Sequence, residues 1–169
     1  KNILKVNENR WISYFSKQIV VLIYTVFFFA VAFLTSVLSV ALMGKSFEMG
    51  FTSDVIPYLG LQILLSFAMT TITGLVSYVS NTGFGMVFSI VTGAGLLNLL
   101  FMLIDILVNN VIKPGADFAT SRYLITGNAA SVTMGMDASD MVRPIIVGCV
   151  FLVIGIFVTG IIHTKKDVH

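Results

Sequence analysis

The chain has 169 residues, of which 57% are hydrophobic and only 11% charged, against the roughly one quarter charged that is usual for a soluble domain. That composition excludes a soluble enzyme or binding module and reads as an integral membrane protein. A formal charge of +2, with the basic residues at the ends of the chain and not in one patch, leaves no footprint for nucleic acid. A single cysteine, Cys149, lies in an apolar run, so no disulfide framework forms within the chain.

The stretch Lys1 to Val20 is the only long segment that is neither apolar nor loop-like. Lys1, Lys5, Arg10 and Lys17 supply four of the ten basic residues, and Ile3, Leu4, Trp11, Ile12, Phe15 and Ile19 suit a helix lying along a bilayer surface. Residues 1–18 are therefore predicted as an amphipathic helix. Basic residues beside a span favour the cytoplasmic side and tryptophan the headgroup layer, which puts this end inside. The chain opens on a lysine with no signal-peptide pattern, and its first residues read as a loop between spans, so a fragment of a longer protein is expected.

About 20 helical residues cross a hydrocarbon core of about 30 Å, and four stretches qualify: 19–43, 55–79, 84–108 and 144–162. The first carries Phe27, Phe28 and Phe29 at its centre, and the second has Pro57 near its start, where a helix tolerates the missing N–H. The third carries Asp105 near its end. The fourth is flanked by Arg143 and by Lys165 and Lys166. The predicted fold class is an all-α integral membrane protein. Residues 1–169 form a single transmembrane domain with four transmembrane helices, an N-terminal amphipathic cytoplasmic helix, and a partly helical outer segment at 109–143. Four spans place both termini on one side, and the net basic charge there makes that side cytoplasmic.

Helices in lipid associate through close backbone approach and polar contacts. Gly85, Ser89 and Gly93 recur every four residues on the third span, as do Ser66, Thr70 and Gly74 on the second. The short turn from Ser80 to Gly83 makes these spans antiparallel neighbours. The two stripes are predicted to meet in a helix contact, with Gly74, Gly85, Ser89 and Gly93 as packing positions. A substrate pathway lined by the hydroxyls is the alternative.

Asn98, Asp105 and Asn109 fall on another side of the third span. A carboxylate at mid-bilayer costs roughly 2.5 to 3.5 kcal/mol, but Asp105 sits near the outer interface, where an interfacial role is the plainer reading. Segment 109–143 is too long for an unstructured connection. Turns are expected at Lys113-Pro114-Gly115 and Thr126-Gly127-Asn128, with about two helical turns between them. The run 129–136 is expected to dip into the membrane as a lid over the third and fourth spans. Asp140 is expected to cap the last span, with Pro144 in or beside its first turn. His163 and His169 read as solvated tail residues.

Several motifs are refused. Gly44-Lys45-Ser46 lacks the glycine that a phosphate-binding loop needs five residues earlier, where Ser39 stands, and Gly83-Phe84-Gly85 lacks the third glycine of a dinucleotide fingerprint. No G-x-S-x-G, H-E-x-x-H or C-x-x-C occurs. No catalytic residue, metal site or cofactor is expected on this chain.

Lys1-Asn2, then Arg10, then Ser16-Lys17 precede an apolar run, Tyr123-Leu124 stands in the long outer segment, and Lys165-Lys166-Asp167-Val168 follows the last span. In these residues the chain resembles the type-2 ABC transporter permeases, particularly small bacterial ones that export or clear antimicrobial peptides such as lantibiotics and bacitracin. The likeness covers the later two-thirds of such a permease, which implies two spans upstream. It implies a permease subunit in the bacterial plasma membrane, paired with a second permease subunit as a homodimer or heterodimer. A cytosolic ABC ATPase subunit would bind ATP and Mg and dock on residues 1–17. The resemblance and position together make Glu8, Arg10, Trp11 and Lys17 the coupling candidates, and Ser66, Thr70, Asn98 and Asp105 the translocation surface. A membrane-embedded assembly or sensor subunit without transport activity remains the alternative.

Overall fold

The structure, a computed structural model, describes residues 10–44, 51–80, 82–93, 95–114 and 118–165. Every regular element among them is helical. Helix α1 spans Arg10–Leu42, and a π-helical turn at Phe51–Val55 leads into α2, Ile56–Val79. Helices α3, Thr82–Gly93, and α4, Leu96–Leu107, follow, then a second π-helical turn at Val108–Ile112. A 3-10 turn at Thr120–Tyr123 precedes α5, Ile125–Ser131, and α6, Ala138–Lys165, closes the fold. Helices α1, α2 and α6 are long and apolar enough to cross a membrane, and α3 with α4 adds a fourth span if that bent pair counts as one.

The first correction concerns the N-terminal segment. Residues 10–18 do not form a separate surface helix but the opening turns of α1, which runs unbroken for 33 residues. No glycine or proline interrupts Arg10 to Leu42, and extending a helix is far easier than nucleating a new one. At 1.5 Å per residue α1 is about 50 Å long, well beyond a hydrocarbon core of about 30 Å. Its other end is as expected: Gly44 adopts φ +69°, and its N–H bonds to the Ala41 carbonyl at 3.0 Å, a glycine stop of the usual helix-terminating kind.

The second correction concerns the third span, which is broken. Gly95 takes φ +74°, a left-handed conformation that glycine reaches without a steric penalty. The Gly95 N–H closes α3 on the Thr92 carbonyl at 3.0 Å, and the Gly95 carbonyl accepts from the Asn98 N–H at 3.0 Å as α4 begins. The two halves meet at more than 40°.

Helix α2 lies at the centre. Leu61, Leu65 and Ala68 are buried on it and form one apolar cluster with Ile125 of α5 and Val132 just beyond. Against α2 packs α6, whose Pro144, Gly148, Gly155 and Thr159 are all buried along one helical face. A Cβ added at Gly148 would lie 3.1 Å from Leu64 Cδ2, and one at Gly155 would lie 3.0 Å from Thr71 Cβ. Glycine lets the backbones approach, and closer approach brings more atoms into dispersion contact. This seam, not the α2–α3 stripes, is the extended helix contact of the molecule.

Helix α6 begins six residues before the expected start at 144. The Asp137 carbonyl accepts the N–H groups of Asp140 and Met141 at 3.0 and 3.2 Å, so Asp140 lies inside the first turn and does not cap it. Pro144 is interior. The turn expected at Thr126-Gly127-Asn128 is also helical, because these residues sit within α5. Gly127 is there for closeness: an added Cβ would fall 2.7 Å from Ser121 Cα. Asn128 Nδ2 folds back on the Arg122 and Leu124 carbonyls at 3.0 and 2.8 Å. Helix α5 packs on α2 and α6.

Candidate functional site

The site begins where α3 leaves α2. At Gly85 the helices touch: a Cβ placed there would lie 2.7 Å from Ser77 Cβ, so the stripe prediction holds at this point. It fails further on. A Cβ at Gly74 or Gly93 would meet nothing within 4 Å, because α3 splays away from α2 before it breaks.

The splay opens a cavity of about 520 Å³ between α2, the α3–α4 break and α5, within the usual size range of small-ligand sites. Ser66, Thr70 and Asn98, three of the four residues predicted for a translocation surface, line it together with Ser89, Thr92 and Gly93. Gly93 and Ser89, expected as packing positions, thus form cavity wall. Gln62 Nε2 donates to the Ala129 carbonyl at 3.0 Å and holds α5 over this space.

Thr70 donates its hydroxyl proton to the Ser66 carbonyl at 2.8 Å, Thr73 to Met69 at 3.0 Å, and Thr92 to Phe88 at 2.7 Å. A hydroxyl has one proton to give and two lone pairs, so these three present acceptors only. Asn98 adds an amide that both donates and accepts. Among the described residues, none that is charged lines the cavity. Next to it lies a wholly apolar space of about 260 Å³ that shares Met69, Thr92, Ile125 and Thr126 and adds Phe88, Phe101 and Phe151. Ser66, Ser89 and Thr126 add hydroxyls that can donate as well as accept, so the pair suits an uncharged hydrogen-bonding group carried on an apolar body.

Asp105, the fourth predicted residue, is elsewhere. Its Oδ1 accepts the Thr120 N–H at 2.7 Å and also the Thr120 hydroxyl, so it caps the 3-10 turn. Asn109, one turn on, accepts the Phe118 N–H at 3.0 Å and donates to the Phe118 carbonyl at 2.7 Å. Both are anchors for the segment that leads into α5.

The coupling candidates divide. Glu8 lies outside the described residues, and of Arg10 only the backbone is described, as the first residue of α1. Trp11 packs on α6, where a Cβ added at Gly160 would come 2.8 Å from Trp11 Cη2. Lys17 is exposed and lines a second, smaller cavity between α1 and α2. His163 is not a solvated tail residue: its ring lies 5.7 Å from that of Tyr14 and 5.5 Å from that of Tyr78, where α1, α2 and α6 converge. His169 lies outside the described residues. Among the described residues no group of three His, Cys, Asp or Glu side chains is placed to hold a metal ion.

The α6 seam was missed from the sequence although it carried a signal, since 144, 148, 155 and 159 repeat at helical spacing. No protein family, curated protein or solved structure matches this chain.

Proposed function

We propose that this chain is the permease subunit of a bacterial ABC transporter, moving a hydrophobic, hydrogen-bond-donating cargo such as an antimicrobial peptide through the cavity between α2 and the α3–α4 break. The observation that carries the transport reading is that cavity. It gathers Ser66, Thr70 and Asn98 into a hydrogen-bonding wall beside an apolar space. A peptide in lipid needs its N–H groups met, since each unsatisfied one costs several kcal/mol or roughly that. The ABC assignment is supported by the sequence likeness in Lys1-Asn2, Arg10, Ser16-Lys17 and Lys165-Lys166-Asp167.

In this reading the end of the bundle bearing Trp11 and His163 faces the cytoplasm and α5 faces out. ATP binding by the partner subunit shifts the first turns of α1, and α1 grips α6 through Trp11 and Gly160. The Gly95 break lets α4 and α5 move relative to α2. Cargo moves only because it binds the two arrangements with different affinity.

Purification of the full-length protein from its native membranes in mild detergent tests this. An ATP-hydrolysing subunit is expected to co-purify, and the Glu8→Arg, Arg10→Glu double variant is expected to release it. Trp11 is the wrong residue to change here, because its loss loosens α1 from α6 as well. Recovery of the chain alone, or with a partner that hydrolyses no nucleotide, replaces the permease with an assembly or sensor subunit.

A further inference from the structure

We propose that the cavity between the opening turns of α1 and the closing turns of α2 binds the headgroup of an aminophospholipid, a phosphate carried beside a primary ammonium. The cavity measures about 330 Å³, and its walls include Tyr14, Lys17, Gln18, Thr73, Ser77 and Tyr78. The inference rests on the chemistry of those walls and stands apart from the permease reading.

Tyr14 is only 1% exposed, with Gln18 and Thr159 gathered about its hydroxyl. Tyr14 Oη, Gln18 Oε1 and Thr159 Oγ1 are each buried short of hydrogen-bond geometry, and even a chain from the Thr159 hydroxyl to Tyr14 Oη and from the Tyr14 hydroxyl to Gln18 Oε1 leaves the second lone pair of Gln18 Oε1 open. Tyr14 and Gln18 both line the cavity. On the α2 side, Thr73 donates to the Met69 carbonyl and Ser77 to the Thr73 carbonyl, each at 3.0 Å, so those oxygens are left as acceptors.

Among the described residues, Lys17 is the one cation on the walls and no carboxylate lines them. The walls therefore ask for two things at once. Lys17 calls for an anion, and Gln18 Oε1 with the threonine and serine oxygens calls for N–H donors beside two tyrosine rings. A phosphate linked to a primary ammonium supplies both, whereas a quaternary ammonium has no N–H to offer.

A lipid is favoured over a soluble molecule by what continues from the cavity. Val21 is part of its wall, and Tyr24 and Phe28 extend the same face of α1, 60% and 67% exposed. This apolar track leads from the headgroup site toward the middle of the helix, where acyl chains belong. Lys17 reaches the headgroup on a flexible four-carbon stem.

The test is native mass spectrometry of the full chain, purified in mild detergent and offered phosphatidylethanolamine, phosphatidylcholine and phosphatidylglycerol of matched chains. Phosphatidylethanolamine is expected to be retained about tenfold over phosphatidylcholine, the worth of one hydrogen bond to a charged group. Lys17→Gln, on an exposed side chain, is expected to cut that retention by about the same factor. Gln18→Leu is expected to bring the ratio of the first two lipids toward one. Equal retention of these two lipids by the unaltered protein overturns the proposal. So does preference for phosphatidylglycerol, insensitivity to both variants, or binding of soluble phosphoethanolamine as tight as that of the lipid.

Discussion

Helices α1 and α2 are neighbours of similar kind, yet they are used in opposite ways. The most apolar window of α1 has a mean hydropathy of 2.5 and none of it is buried, whereas that of α2 has 1.8 with 28% buried. In water the order would be reversed, because apolar surface drives burial there. In lipid the tails solvate leucine and phenylalanine as well as any protein does, so the helix that gathers neighbours is the one with small and polar residues. Helix α2 carries Ser66, Ala68, Thr71 and Gly74, and α6 meets it with Gly148 and Gly155. Among its described contacts helix α1 is gripped most closely at its opening turns, through Trp11 and Tyr14, and beyond Val20 it offers exposed leucine, valine and phenylalanine side chains such as Leu34, Val31 and Phe28 to its surroundings.

The sharpest test of this contrast is Leu65→Ala. Leu65 is 0% exposed, and the change is expected to cost about 2 kcal/mol, the low end for buried leucine since the term for transfer from water is largely absent. Reversible unfolding in detergent reads it. Gly155→Leu comes next. It forces a side chain into Thr71 and is expected to cost roughly 1 to 3 kcal/mol by overpacking, with a matching fall in thermal midpoint.

Asp105→Ala removes the acceptor for the Thr120 N–H and hydroxyl, worth about 1 to 2 kcal/mol. Its mark is local: faster proteolysis between residues 118 and 131 with the helices intact. Asn98→Leu is expected to change stability by under about 0.5 kcal/mol while weakening binding of the proposed hydrophobic peptide about tenfold. Leu34→Ala on exposed α1 is the smallest, within about 0.5 kcal/mol. A Leu34→Ala cost as large as that of Leu65→Ala breaks the comparison and means that a partner covers α1.

Much of this was legible from the sequence, and the pattern of misses is physical. Hydropathy over a full span finds α1, α2 and α6 because length and apolarity are all that crossing requires. Gly44 and the turn after Val79 marked their own ends. The break in the third span was invisible to the same measure, since averaging over 84–108 hides one residue at positive φ; the pair Gly93 and Gly95 was its only sign. Small residues occur in every span, so sequence alone gives several possible seams. The α2–α3 pair was chosen for its tight turn, and only three-dimensional packing reveals α6 as the true partner.

The site fared similarly. Hydroxyls on α2 were legible as a stripe, but that they face a cavity depends on the splay of α3. Asn98 and Asp105 share a helix face in an unbroken span. Both stay on one unbroken helix, α4, but about two turns apart, so Asn98 beside the Gly95 break lines the cavity while Asp105 is tied to Thr120.

Reception of cargo by the cavity between α2 and the α3–α4 break is the central step of the proposed function. Cysteine accessibility in native membranes tests it, with Ser66→Cys, Asn98→Cys and Leu65→Cys each placed in a Cys149→Ser background. Labelling of the Ser66→Cys and Asn98→Cys variants by a small water-soluble thiol reagent, its suppression by a hydrophobic peptide, and no labelling of the Leu65→Cys variant are the predicted result. Silence at all three positions, or labelling that no peptide suppresses, contradicts it.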